Sequence, residues 1–276
     1  MPEYNYDLVG YKGNISATDY EEAGRAANDF SVSLINGNDL KGSATLVSIG
    51  NIHGLLTADH VWQYILKGEA KDHFCMVLGP ELQRFEYPFE GCTPIIVGKY
   101  SPEHEEEGPD LTFIRLHNPL KLETIKSRKS FYPLNTAKGE TLERLPHDRC
   151  PWLVWGAPGE KCSKLATGPV LKVIHFCGAG KFMEKVNRDG FDYAKIRIPS
   201  GSFNYPNRYG GVSGGGVWIP YWLSEDPDGK VLKPTLNVLL AGVAYYQIEE
   251  EVNYKTLILH GPKSIYEHVI HAVLHA

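Results

Sequence analysis

The chain has 276 residues and a formal net charge of -5. That length accommodates one large all-β unit or two small barrels, and it buries a core without covalent staples. The slightly acidic balance argues against a general nucleic-acid binder, and no apolar run reaches the length of a membrane span.

In chain order, residues 18–28 (TDYEEAGRAAN) read as a short N-terminal helix. Strands are predicted next over Phe30–Ile35, Ala44–Ile49, Gly54–Thr57, Phe74–Leu78, Pro94–Val97 and Leu111–Leu116, punctuated by Gly, Pro, Asn and Asp. A short helix from about His60 to Lys67 interrupts them, with Val61 and Ile65 on one face and Gly68 as its stop. The polar stretch Lys121–Arg149 reads as a linker to a second series. That series is predicted over Trp152–Trp155, Val170–His175, Tyr193–Ile198, Gly216–Ile219, Val238–Gln247 and Tyr254–Leu259. A last helix, from about Lys263 to His275, carries an apolar stripe of Ile265, Val269, Ile270, Val273 and Leu274. Short strands at this spacing predict closed or sandwiched antiparallel sheets.

The five cysteines, Cys75, Cys92, Cys150, Cys162 and Cys177, are odd in number and form no CxxC pair. Neither a disulfide framework nor a cysteine-rich zinc site is expected, and reduced thiols in a cytoplasmic protein are. The opening Met1-Pro2-Glu3-Tyr4-Asn5 lacks a basic region followed by an apolar core, so no secretory signal is expected.

Three segments carry chemistry. In Gly210-Gly211-Val212-Ser213-Gly214-Gly215-Gly216, the glycines permit backbone conformations closed to other residues and expose the serine hydroxyl. The amides of Gly211 and Ser213 can converge there on one point, as an oxyanion hole requires. Alone, the segment is equally a glycine-rich loop with an incidental serine. In Leu55-Leu56-Thr57-Ala58-Asp59-His60-Val61, an apolar strand ends in a small-residue turn and a histidine opens a helix. In Gly108-Pro109-Asp110-Leu111, an acid stands at the mouth of a strand, where a plain turn aspartate is also common. Taken together they supply what a serine nucleophile needs: a base, and an acid that holds the base in the right tautomer.

These segments resemble the chymotrypsin-like (trypsin-like) serine peptidases. Thr57-Ala58-Asp59-His60 is similar to their TAAH segment, Asp110-Leu111-Thr112-Phe113-Ile114-Arg115-Leu116 to their DIALLKL strand, and Gly211-Val212-Ser213-Gly214-Gly215 to their GDSGG segment. Leu240-Ala241-Gly242-Val243-Ala244-Tyr245-Tyr246 resembles the LVGIVSW strand along the substrate cleft, and Gly156-Ala157-Pro158-Gly159 the opening of the second barrel in bacterial Deg-type members. The resemblance covers roughly residues 30–260 and implies an all-β fold of two six-stranded antiparallel β-barrels with short N- and C-terminal helices. Its units would be an N-terminal extension (1–29), a first barrel (30–125), an interbarrel linker (126–150), a second barrel (151–262) and the C-terminal helix (263–276).

The implied activity is that of a serine endopeptidase: His60 the base, Asp110 its orienting acid, Ser213 the nucleophile, and the Gly211 and Ser213 amides the oxyanion hole. Asn207, six residues before the nucleophile, would form the base of the specificity pocket, and Tyr245, Tyr246 and Gln247 the wall along which substrate lies. The implied partner is a protein or peptide substrate. A regulatory protein partner is left open, and no nucleic acid, membrane, cofactor or metal is implied. Val212 stands where secreted members carry the Asp that pairs with a newly cut N-terminus, so activation by that cleavage is not expected. Asp59 replaces a small residue beside His60 and would raise its pKa if the carboxylate turned inward. A PDZ-like module after the barrels is not expected from the resemblance.

Two other readings remain. The same fold can serve as a binding or sensor module. Gly211-Val212-Ser213-Gly214-Gly215 also fits the G-x-S-x-G turn of an α/β-hydrolase esterase, which would need a helix after Ser213 and later partners such as Asp228 and His260. His268, His271 and His275, at i, i+3 and i+7, read as a polar helix face rather than a metal site.

Overall fold

In a computed structural model of the chain, the described residues are 6–8, 16–79, 84–135, 151–164, 171–202, 204–225, 231–251 and 253–276. The chain opens with β1 (Tyr6–Leu8) and helix α1 (Ala17–Asp29). Ser16 caps α1, its hydroxyl oxygen accepting the Asp19 N–H at 3.1 Å. Ala23 and Ala27, one turn apart, form its buried face.

A first sheet follows: β2 (Ser31–Asn36), β3 (Asp39–Ile49), β4 (Ile52–Thr57), β5 (His73–Val77), β6 (Arg84–Pro88), β7 (Cys92–Gly98) and β8 (Leu111–Leu116). Helix α2 (Asp59–Leu66) leaves the end of β4, and α3 (Pro119–Lys126) and β9 (Tyr132–Pro133) complete this half. The second sheet comprises β10 (Trp152–Gly156), β13 (Phe176–Arg188), β14 (Phe191–Pro199), β15 (Gly216–Glu225), β16 (Val231–Glu251) and β17 (Tyr254–His260), with β11 (Ser163–Lys164) and β12 (Leu171–Lys172) as a separate pair. A π-helical segment (Ser264–Val269) leads into α4 (Ile270–His275).

Both sheets trace the same path. In the second, the strand order is β15-β10-β13-β14-β17-β16, and β16 pairs back onto β15, closing a six-stranded barrel. Counted within that half, the order is fourth, first, second, third, sixth, fifth. The first sheet runs β5-β2-β3-β4-β8-β7, the same order, with β6 added beside β5. It curls as a half-barrel. The chain is thus a duplicated double barrel of the chymotrypsin-like kind, although its sequence carries no visible repeat. β1 joins the second barrel as an outer strand beside β15, and α1 packs Ala23 and Ala27 into the core that holds Trp152, Trp155 and Trp218. The first half buries Leu34, Leu46, Leu55, Phe74 and Ile114 against Val61 and Ile65 of α2. Tyr193, Tyr245 and Ile258 of the second barrel enter that same cluster, so the two halves share apolar contact. Each such fully buried large side chain contributes about 2 kcal/mol.

Three sequence expectations change. Of the expected strand Val170–His175, Val170 lies outside the described residues; of the rest only Leu171–Lys172 pairs, with Ser163–Lys164, while Val173 is buried against a small cluster with Ile35, Cys75 and Ala157. The strand lies just beyond, as β13. Its glycines and charges disguised it, but Asp189 and Gly190 take positive φ (50° and 86°) and turn the chain tightly into β14. Gly178 is required there, since a Cβ would sit 2.1 Å from the Phe176 ring. The polar stretch after Leu116 begins as a helix, α3, capped by Asn118 and started by Pro119. Most of the expected linker, residues 136–150, lies outside the described residues, as does Cys150; residues 132–133 form β9, parallel to β3. The last helix is π-wound over Ser264–Val269 before it becomes α-helical; His268 lies near the Gly190 carbonyl, and the exposed His271 and His275 rings meet at 4.2 Å with a tilt of 32°.

Candidate active site

β4 delivers His60 to the junction between the halves. The strand ends at Thr57, Ala58 takes an extended conformation as the N-cap, and His60 lies in the first turn of α2. Asp110 stands just before β8 and is almost fully buried (2 % exposed). The Asp110 carboxylate grips His60 twice: Oδ1 accepts the His60 N–H at 2.9 Å, and Oδ2 lies 2.5 Å from Nδ1. With the proton on Nδ1, the neutral ring presents Nε2 as an unprotonated acceptor. Tyr64 and Tyr100 flank the imidazole at 5.6 and 5.4 Å.

Asp59 does not turn toward His60. Its carboxylate accepts from Gln63 Nε2 at 2.7 Å, Tyr100 N at 2.9 Å and Thr112 Oγ1 at 2.6 Å. It ties α2 to β8 and to the loop before Ser101, and it is satisfied there.

The serine loop is braced from both halves. Gly211 has φ +92°, and a Cβ on it would meet the Ala157 carbonyl at 2.5 Å. Gly214 has φ +83°, and a Cβ would meet Thr57 Oγ1 at 2.0 Å and Ser43 O at 2.1 Å. Both positions therefore admit only glycine. Ser43, from β3, is the hub. Its N–H donates to Ser213 O at 2.8 Å, its hydroxyl donates to Gly211 O at 2.9 Å and accepts from Ala157 N at 3.1 Å, and its carbonyl accepts from Thr57 Oγ1.

These bonds orient two amides. Gly210 O accepts from Gly159 N, and Val212 O accepts from Gly215 N. In a trans peptide the N–H points opposite to its carbonyl, so the Gly211 and Ser213 amides are turned the other way. Among the described residues neither amide has a hydrogen-bond partner. The Ser213 hydroxyl donates to the Tyr245 carbonyl at 3.3 Å rather than to His60.

A cleft of ≈ 330 Å³ gathers His60, Asp110 and Ser213 with Tyr64, Tyr100, Glu105, Arg208, Tyr209 and Tyr245–Gln247. The sequence expectation for Tyr245, Tyr246 and Gln247 thus falls on the cleft wall. The Tyr245 ring itself points into the interior, its hydroxyl donating to Glu106 O at 2.9 Å. Gln247 Oε1 accepts the Tyr209 N–H at 2.7 Å and so holds the loop before Ser213. Asn207 is not among the lining residues. Glu160 takes the backbone N–H groups of both Asn207 and Arg208, and it is Arg208 that borders the cleft. Sequence reasoning also missed Ser43, Tyr100 and Glu105, which no local motif marks.

No protein-family model and no curated protein sequence matches the chain. Among solved structures it is similar to the HtrA-type protease AlgW with a bound tripeptide (TM-score 0.48, 15 % identity), over 91 % of this chain and 64 % of that one. The chain therefore spans under two thirds of that protein's length. It is similar also to neuropsin, a serine protease of mouse brain (TM-score 0.48, 15 % identity), over 90 % and 95 % of the two chains.

The esterase geometry is not met. Gly216 opens strand β15 where that motif needs a helix, and His260 is fully buried, its Nε2 accepting the Asp110 N–H. Asp228 lies outside the described residues. Among the described residues, no helix is long and apolar enough to cross a membrane.

Proposed function

We propose that the chain is a serine endopeptidase acting on a protein or peptide in the cytoplasm. Ser213 attacks the peptide carbonyl while His60 Nε2 takes its proton. The Gly211 and Ser213 amides hold the oxyanion, His60 returns the proton to the leaving amine, and water releases the acyl group. Asp110 holds the imidazole tautomer throughout. The observation that carries this reading is the buried Asp110 carboxylate on His60 Nδ1, in one cleft with Ser213 and two unpartnered amides.

Substrate lies along β16. This strand pairs with β15 as far as Val243 and with β17 as far as Glu251, and its residues Tyr245–Gln247 line the cleft, which supports a substrate laid beside them as an added strand. Assembly without N-terminal cleavage is supported by Val212, which is buried against Gly156 with the loop's hydrogen bonds already made.

One observation favours a binding module instead: the Ser213 hydroxyl rests on the Tyr245 carbonyl. Apo geometry of this kind is compatible with catalysis, because a hydroxyl can change rotamer and catalytic hydrogen bonds commonly tighten only when substrate binds. A fluorophosphonate probe and a peptide library decide between the two. The peptidase reading expects labelling at Ser213, cleavage, and a loss of roughly 10⁶ in kcat in Ser213→Ala or His60→Ala. Binding of a partner unchanged in both variants, with no labelling of the wild type, would establish the module.

A further inference from the structure

We infer that His260 is a positioning residue that fixes the acid of the site from the opposite barrel. The inference rests on the peptidase reading above. Asp110 comes just before the β8 ladder, whose pairing with β7 begins at Leu111. Its backbone N–H therefore has no strand partner. The acceptor comes from across the interface: His260 Nε2, at the end of β17, lies 3.1 Å away. It is the one partner of that N–H among the described residues.

The His260 ring is built into the interior. It is wholly buried and enclosed by Tyr245 at 4.8 Å, Tyr193 at 5.1 Å and Phe191 at 5.9 Å. Accepting at Nε2 requires the proton on Nδ1, and Nδ1 has no hydrogen-bond partner among the described residues. A phenylalanine or leucine would fill this aromatic-lined space and remove the unpaired Nδ1, but it would leave the Asp110 N–H without its acceptor. Retaining the imidazole is explained by what Nε2 does. The consequence is a chain of placement: His260 sets the Asp110 backbone, the Asp110 carboxylate sets His60, and Ser213 stands on the same barrel as His260. The base is thereby held in register with a nucleophile carried by the other sheet.

Two near-isosteric variants separate this role from simple packing. The Gln side-chain oxygen reaches about where Nε2 lies and keeps an acceptor; Met has similar length and none. A misplacement of about 1 Å costs on the order of 100-fold in rate. His260→Met is expected to lose about that much kcat with KM within about twofold, and His260→Gln to recover most of it. The Asp110 amide resonance should shift in His260→Met and stay near its wild-type position in His260→Gln. Equal kcat in both variants, whether high or low, overturns the inference. Should His260→Met not fold, the ¹⁵N shifts of the wild-type imidazole decide: an Nδ1–H tautomer with an accepting Nε2 supports the role, and an Nε2–H tautomer overturns it. The amide and imidazole shifts need no turnover. A wild type that neither cleaves peptides nor labels at Ser213 would refute the peptidase reading while leaving the His260–Asp110 contact separately measured.

Discussion

Acidification should destabilise the fold through His260 in particular. Burial drives its pKa down to about 4, and the opposing pull of the Asp110 and Asp192 carboxylates does not overcome this. The Asp110 N–H donated to Nε2 favours the neutral ring as well. In the unfolded chain the same imidazole titrates near the ordinary value of about 6.5. Between those values the unfolded state binds the proton and the folded state does not. Stability is therefore complete above about pH 6.5 and is lost as pH falls toward 4. From about pH 7.5 to pH 5 this one group costs about 2 kcal/mol, against a typical total of about 5–15 kcal/mol. The groups facing it are Asp110 on the first half, Asp192 and Tyr193 on β14, Tyr245 on β16, and His268 in the C-terminal helix. Urea unfolding of the wild type and of His260→Gln across this range isolates the effect. Half-buried His175, also lowered to about 4, and the carboxylates that do not face His260 cancel in the comparison. The wild type should lose about 2 kcal/mol more than the variant. Parallel curves for the two would refute the argument.

Other substitutions probe the loop and the cleft. Gly214→Ala places a Cβ on two atoms at 2.0–2.1 Å with φ +83°, and should cost at least about 3 kcal/mol with loss of activity, checked by thermal unfolding and peptide cleavage. Ser43→Ala strips the hydroxyl from Gly211 O and Ala157 N, and should cost about 2 kcal/mol with a fall in kcat. Unchanged kcat would mean that the loop holds its shape without β3. The Arg208 guanidinium borders the cleft and makes no ion pair among the described residues. Cleavage of peptides with an acidic side chain near the scissile bond should therefore drop about tenfold in kcat/KM in Arg208→Glu, and peptides with a basic one should gain. A variant with the wild-type cleavage profile would remove Arg208 from recognition.

The sequence made His60, Asp110 and Ser213 visible for a physical reason. His60 follows the end of β4, Asp110 immediately precedes β8 and Ser213 lies in the loop before β15, and such places leave local marks: small residues before His60, Gly-Pro before Asp110, glycines around Ser213. The residues that hold them left none. Ser43 meets Gly211 across 168 positions and His260 meets Asp110 across 150, so only the fold reveals either contact. The contact that holds Asn207 and Arg208 is likewise non-local: Glu160, 47 residues earlier than Asn207, accepts both of their backbone N–H groups. β13 was missed because glycines lower strand propensity when taken singly, whereas here Gly178 makes room for the Phe176 ring.

The division of the site between two sheets has a consequence for how it fails. Within each sheet the backbone ladders are continuous. Among the described residues the bonds between the sheets nearest the site are few: Ser43 to Ser213, Gly211 and Ala157, His260 to Asp110, and Tyr245 to Glu106. Small separations of the halves would break these before either ladder, and each break displaces His60, Asp110 or the Gly211 and Ser213 amides, on which the proposed activity depends. Activity should therefore decline at lower urea than the sheet signal, in the manner of a sub-global opening. Following peptide cleavage and far-ultraviolet circular dichroism on one urea series measures the gap. Coincident transitions would show that the two halves separate only when the whole chain unfolds, and that the shared Tyr193, Tyr245 and Ile258 cluster binds them into one cooperative unit.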